Sequence, residues 1–127
     1  KGVGTVNWNL SGGRPIWQQP HEQLTLRIAT GSYVRGSKMP TVRELAAEAG
    51  VNPNTMQRAL AQLEADGLVV TNRTAGRTVT DDESVLTATR RRLAHGTIKT
   101  YLDQMALLGF TRAEAAELLQ TWEEEDT

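Results

Sequence analysis

The chain has 127 residues, 39% hydrophobic and 23% charged, which is room for one domain of ordinary size and a short appendage, and a composition neither disordered nor fibrous. Zero cysteines exclude disulfides, thiolate metal sites and cysteine nucleophiles. No stretch approaches the ~20 apolar residues needed to span a bilayer, and no basic segment followed by an apolar run opens the chain, so a soluble, cytoplasmic protein with no membrane partner is expected.

The net charge of -1 conceals an asymmetry. Residues 1–81 hold nine Lys or Arg against six Asp or Glu, whereas residues 82–127 hold five against nine. A mildly basic first part and an acidic second part imply that the first faces an anionic partner.

In chain order, Thr5 to Leu10 alternates Val6, Trp8 and Leu10 with polar residues, which reads as a short strand or extended arm within residues 1–14. From Trp17 to about Thr30, Trp17, Leu24 and Ile28 recur at helical spacing, with Pro20 in the first turn. Gly31 stops that helix, and Gly31 to Pro40 is a loop by composition. Thr41-Val42-Arg43-Glu44 is a capping-box pattern, so a helix starts there. Val42, Leu45, Ala46 and Ala49 give it one apolar face, and Gly50 supplies a left-handed end. After a turn of Gly50, Val51 and Asn52, a second helix is capped by Asn52 with Pro53 in its first position. Its apolar stripe is Met56, Ala59, Leu60 and Leu63, and Gly67 closes it.

Leu68 to Thr71 and Thr78 to Thr80 are short β-prone runs around Asn72 to Arg77, which predicts a hairpin with a basic tip. Asp81, Asp82 and Ser84 start a long helix bearing Leu86, Leu93, Tyr101, Leu102, Met105 and Leu108, with Gly96 as a weak point. Thr111-Arg112-Ala113-Glu114 is a second capping box, with Phe110 placed to staple against Ala115. The last helix has Ala115, Leu118, Leu119 and Trp122 on one face.

Two short helices joined by a tight turn and followed by a basic hairpin have the layout of a winged helix-turn-helix, whose second helix enters the DNA major groove. With Met56, Ala59, Leu60 and Leu63 facing inward, a rotation of about 100° per residue turns Asn54, Gln57, Arg58 and Ala61 outward. Amide and guanidinium groups read adenine and guanine edges, and a small apolar side chain meets a thymine methyl. The helix N-terminus at Asn52 offers backbone N–H groups to a phosphate. Arg73 and Arg77 form a cationic wing tip, read either as solubilising charge or as a minor-groove or phosphate contact.

Several motifs in order then resemble one family. Pro15-Ile16-Trp17, Gly31-Ser32-Tyr33, Met39 to Ala46, Val51 to Met56 and Leu63 to Val69 are similar to the N-terminal winged-helix domain of GntR-type regulators, over residues 15–80. Asn52-Pro53-Asn54-Thr55 and a C-terminal part of about 45 residues resemble the YtrA-like subfamily, whose two-helix appendage mediates dimerisation. The resemblance implies that Arg43 contacts bases or backbone in the major groove, that Thr41 and Thr55 contact phosphates, and that Gly76 approaches the minor groove. The chain departs from the family at Pro53 and Gln57, where arginines are common, and in a wing reading Ala75 to Thr80 without the usual Gly-x-Gly-Thr-Phe-Val form. Arg58 is placed to take over part of the missing arginine's role.

The C-terminal apolar residues exceed what one intramolecular contact needs, so Leu86, Leu93, Tyr101, Leu102, Met105, Leu108, Leu118, Leu119 and Trp122 are expected at a homodimer interface. The alternative is that these helices fold back on the winged helix. Arg90, Arg91 and Arg92 read as a solvated face, intersubunit ion pairs or phosphate contacts. His21 and His95 are the only histidines, and with no metal-ligand spacing, phosphate loop or nucleophile elbow, neither an enzyme nor a metal or other cofactor is expected.

The expected architecture is α+β and mostly helical: an arm (1–14), a winged helix-turn-helix with a two-stranded wing (15–81) and a two-helix dimerisation appendage (82–127). The expected function is a homodimeric repressor on an inverted-repeat operator in double-stranded DNA, any small-molecule effector being unspecified. A winged-helix protein-interaction module without specific DNA binding is the rival.

Overall fold

The computed structural model describes residues 17–123, so the expected N-terminal strand lies outside the described residues. Five helices and one two-stranded antiparallel sheet are described: α1 (Gln18–Ala29), α2 (Val42–Ala49), α3 (Pro53–Ala65), β1 (Val69–Asn72), β2 (Gly76–Val79), α4 (Glu83–Leu107) and α5 (Arg112–Thr121). The chain divides into two compact units, residues 1–90 and 91–127.

In the first unit the local signals act as expected. The Thr41 hydroxyl oxygen accepts from Glu44 N at 3.1 Å and a Glu44 carboxylate oxygen accepts from Thr41 N at 2.8 Å, closing the capping box at the head of α2. Gly50 ends α2 in the left-handed region, φ 71°. Asn52 Oδ1 accepts from Asn54 N at 2.7 Å, and Pro53 occupies the first position of α3. With ends defined this way, α2 turns Leu45, Ala46 and Ala49 inward and α3 turns Met56, Ala59, Leu60 and Leu63 inward. They meet Leu24 and Ile28 of α1, Met39, Leu68, Val69, Val79 and Leu86 in one continuous core. Burying a leucine such as Leu60, which is 0% exposed, contributes about 1.5–3 kcal/mol.

Three features differ from expectation. β2 begins at Gly76, two residues earlier than the β-prone run, because Asn72 Oδ1 accepts from Thr74 N and Ala75 N and tightens the turn, so that Asn72 pairs with Gly76. The segment read as a loop before α2 lies along the outer edge of β2: Gly36 N donates to Val79 O, Val79 N to Ser37 O and Met39 N to Arg77 O, at 2.8–3.1 Å. Its bridge is Lys38 to Thr78. Glycine, serine and proline concealed it, since so short a pairing leaves no alternating pattern.

The third difference concerns α4. Leu86, expected at a dimer interface, is 5% exposed and belongs to the core of the first unit. The reason is that the opening turns of α4, started by Asp82 Oδ1 accepting from Ser84 N, belong to that unit. Arg90 is likewise engaged within it: its guanidinium donates to Ala29 O at 3.2 Å at the end of α1 and lies 3.4 Å from Glu83.

In the second unit α4 continues through Gly96 without a break, and α5 is started by the second capping box, Thr111 with Glu114. The Tyr101 hydroxyl donates to Ala115 O at 2.7 Å. Ala115 is fully buried and Phe110 is 39% exposed. No helix among the described residues is long and apolar enough to cross a membrane.

Candidate nucleic-acid interface

The residues singled out on the sequence for contact with DNA fall into two groups within the first unit. The first group lines a groove of about 560 Å³ between the N-terminus of α2 and the wing: Lys38, Thr41, Arg43, Gly76 and Arg77 are among its walls. Thr41 and Arg43 stand at the head of α2, while Gly76 and Arg77 start β2. The bridge that lays the preceding segment on β2 makes them neighbours. Gly76 adopts φ +78°, and a Cβ there would stand 3.9 Å from Lys38 Cε.

Lys38 lines the same groove and is not among the residues that the sequence pattern singles out. Its signal is the adjacency to Met39-Pro40-Thr41, but only the bridge brings it opposite the wing. Three cationic side chains, Lys38, Arg43 and Arg77, thus surround one groove, an arrangement suited to a polyanion. Arg77 Nε is buried without a hydrogen-bond partner among the described residues. The Thr41 hydroxyl oxygen is committed as an acceptor to Glu44 N. Glu44 itself is held below the usual glutamate range, first by the backbone N–H of Thr41, then by its hydroxyl and by nearby Lys38. The carboxylate beside the groove is therefore ionised at neutral pH.

The second group is on α3. Asn54, Gln57, Arg58 and Ala61 are exposed and Thr55 is half-buried, the pattern required by an inward stripe at Met56, Ala59, Leu60 and Leu63. Asn52 Oδ1 is used in capping, so its amide N–H groups are the donors that remain. Arg58 does not simply extend outward: its guanidinium carbon lies 4.8 Å from the centroid of the Trp17 ring. Arg73 is exposed in the wing turn, apart from the groove walls.

His21, one of the two histidines, is half-buried, and its Nε2 lies 2.7 Å from Asp66 Oδ2. That pair fastens α1 to the end of α3, a tie between residues 45 apart that local pattern does not reveal.

In the second unit, Tyr101, Met105, Leu118, Leu119, Thr121 and Trp122 line a groove of about 640 Å³. Leu93, Tyr101, Leu102 and Met105 are half-buried, while Leu108, Leu118, Leu119 and Trp122 are 72%, 43%, 63% and 55% exposed.

Comparison with known proteins agrees with this layout. The family described as "Bacterial regulatory proteins, gntR family" matches residues 18–79, which run from the start of α1 to the end of β2. The HTH-type transcriptional regulator YhcF of Bacillus subtilis is 32% identical over 111 residues, covering 87% of this chain and 92% of that protein. The HTH-type transcriptional repressor YtrA of Bacillus subtilis is 35% identical over 68 residues, 54% of this chain and 52% of that one. Among solved structures, a GntR family transcriptional regulator from Listeria monocytogenes superposes with a TM-score of 0.77 at 30% identity, covering 90% of this chain and all of that one. Its winged helix-turn-helix, its polar α3 face and its similarity along nearly the whole length of YhcF together establish that the chain belongs to the gntR family of bacterial transcriptional regulators, with a DNA-binding helix-turn-helix.

Proposed function

We propose that the chain is a repressor of the YtrA-like type that binds an inverted-repeat operator as a homodimer in the bacterial cytoplasm. The observation that supports it most is the groove in which Lys38, Thr41, Arg43, Gly76 and Arg77 meet. On this reading α3 lies in the major groove with Asn54 and Gln57 toward base edges, Thr41, Asn52 and Thr55 contact phosphates, and the wing brings Gly76, Arg73 and Arg77 to the adjacent minor groove. Lys38 and Arg43 flank the same stretch of backbone, with Arg43 also within reach of a base.

The dimer is supported by Leu108, Leu118, Leu119 and Trp122, exposed apolar side chains around and beside the groove of the second unit, since an exposed apolar patch on a soluble unit marks an interaction surface. Leu93, Tyr101, Leu102 and Met105 complete that face. A twofold pair would set two α3 helices about one DNA turn, ~34 Å, apart. The repressor assignment follows the relative YtrA, a transcriptional repressor, and regulation without catalysis follows the family.

The test is to select bound fragments from random DNA and measure affinity for the selected duplex across a salt series. Expected are an inverted repeat and a fall of about 10³-fold or more between roughly 50 and 200 mM salt, from counterion release. Binding indifferent to salt, or a monomer without DNA affinity, overturns the proposal and favours a protein-interaction module.

A further inference from the structure

Trp17 stands at the N-cap position of α1, yet its side chain makes no cap hydrogen bond. Its indole instead lies against the Arg58 guanidinium, 4.8 Å from carbon to ring centroid. One turn on, His21 meets the same indole edge-on, with centroids 6.1 Å apart and planes at 64°. His21 is in turn held by Asp66 at 2.7 Å, whose other oxygen accepts from Gln62 Nε2 at 2.9 Å. The indole is therefore buttressed from the end of α3 and presses on a residue in the first half of the same helix.

The stack disposes the guanidinium in a specific way. A contact with the indole ring uses the charge of the guanidinium and occupies none of its five N–H donors as a hydrogen bond to an oxygen would. Among the described residues none accepts a hydrogen bond from Arg58 and none forms an ion pair with it. The stack also draws Arg58 toward α1, onto a flank of α3, while Asn54 and Gln57 stay on the outward face. A helix seated in the major groove turns its outer face to base edges and its flanks to the sugar-phosphate walls.

We infer that Trp17 is a positioning residue that holds Arg58 on the α1 flank of α3 as a phosphate clamp, so that Arg58 sets affinity and register while Asn54 and Gln57 discriminate bases. The inference rests on the DNA-binding reading above. It assigns Arg58 a backbone contact in place of the base contact expected from the helical wheel alone.

The experiment measures dissociation constants for the full chain and for Trp17→Ala, Trp17→Phe, Arg58→Ala and the Trp17→Ala/Arg58→Ala double variant, each on the selected operator and on a random duplex of equal length, across a salt series. Arg58→Ala weakens both duplexes by the same factor and lowers the slope of log affinity against log salt by about one. Trp17→Ala weakens both by about threefold to fivefold, the range of an exposed cation–π contact. Trp17→Phe restores most of that loss, and the double variant binds no worse than Arg58→Ala. An effect of Trp17→Ala that persists undiminished in the Arg58→Ala background makes Trp17 merely structural and overturns the inference. A loss confined to the operator, with the salt slope unchanged, makes Arg58 a base reader and overturns it equally. If the unaltered chain binds while Trp17→Ala matches it, only this inference falls; if the unaltered chain binds neither duplex, the DNA-binding reading falls with it.

Discussion

The same capping box starts α2 and α5, and the contrast between the two helices separates what local chemistry decides from what it leaves open. Thr41 with Glu44 and Thr111 with Glu114 close nearly identical pairs of hydrogen bonds, at 2.8–3.1 Å in each. Yet α2 buries Leu45, Ala46 and Ala49, whereas α5 buries only Ala115 and leaves Leu118 and Leu119 exposed. Capping determines where a helix begins. What covers its apolar stripe depends on the partners the rest of the chain supplies: α2 has α1, α3 and the wing, while α5 within its own unit has the second part of α4.

The sharpest way to break this contrast is to cut back one leucine in each region. Leu60→Ala, at a site that is 0% exposed, is expected to cost about 2–5 kcal/mol in chemical denaturation. Leu118→Ala should cost under about 0.5 kcal/mol at concentrations where the chain is monomeric. Equal losses would show that the second unit closes its apolar face internally.

A charge on that face tests its proposed partner. Leu119→Asp is expected to shift sedimentation equilibrium to monomer and to weaken binding to the inverted repeat by about 100-fold, with little change on a half-site, because two linked half-sites gain their affinity from simultaneous engagement. Equal loss on both would place Leu119 outside the dimer contact. Within the α2 region, Arg43→Ala is expected to cost about 1–3 kcal/mol on the operator through a bidentate base contact. A loss as large on random DNA would leave Arg43 as a backbone contact.

The smallest expected effect lies in the first capping box itself. The folded-state pKa of Glu44 is lowered, chiefly by the Thr41 N–H. A depressed carboxylate adds stability that is complete above its unfolded pKa and lost as pH falls through the folded one. The stability difference between the unaltered chain and Glu44→Gln should therefore be constant near neutrality and close in acid, below about pH 4. A gap that persists there would mean that the charge is irrelevant to the cap.

Much of the fold and part of the site could be read from the sequence, for a physical reason. Caps, stripes and turn glycines act within four residues, so the boundaries of α2 and α3 and the outward placement of Asn54 and Gln57 follow from spacing alone. The strand-like pairing at Lys38, the stack of Trp17 on Arg58 and the tie from His21 to Asp66 join residues about 40 or more positions apart, where no periodicity survives. Leu86 shows a subtler gap: a helical stripe states that a face is apolar but not which surface it meets, and the first turns of α4 serve the core of the winged helix.

The short pairing along β2 has one more consequence. A two-stranded wing reaching out from a small domain would ordinarily expose a row of backbone donors and acceptors to other chains, the usual template for sheet-to-sheet aggregation. Here Val79 N, Val79 O and Arg77 O on that edge are already taken by Ser37, Gly36 and Met39, and Pro40 follows with no N–H to offer. The segment that brings Lys38 to the groove thus also blocks that edge of the wing from recruiting a neighbour, a safeguard for a protein that must stay dispersed while it searches a long polymer.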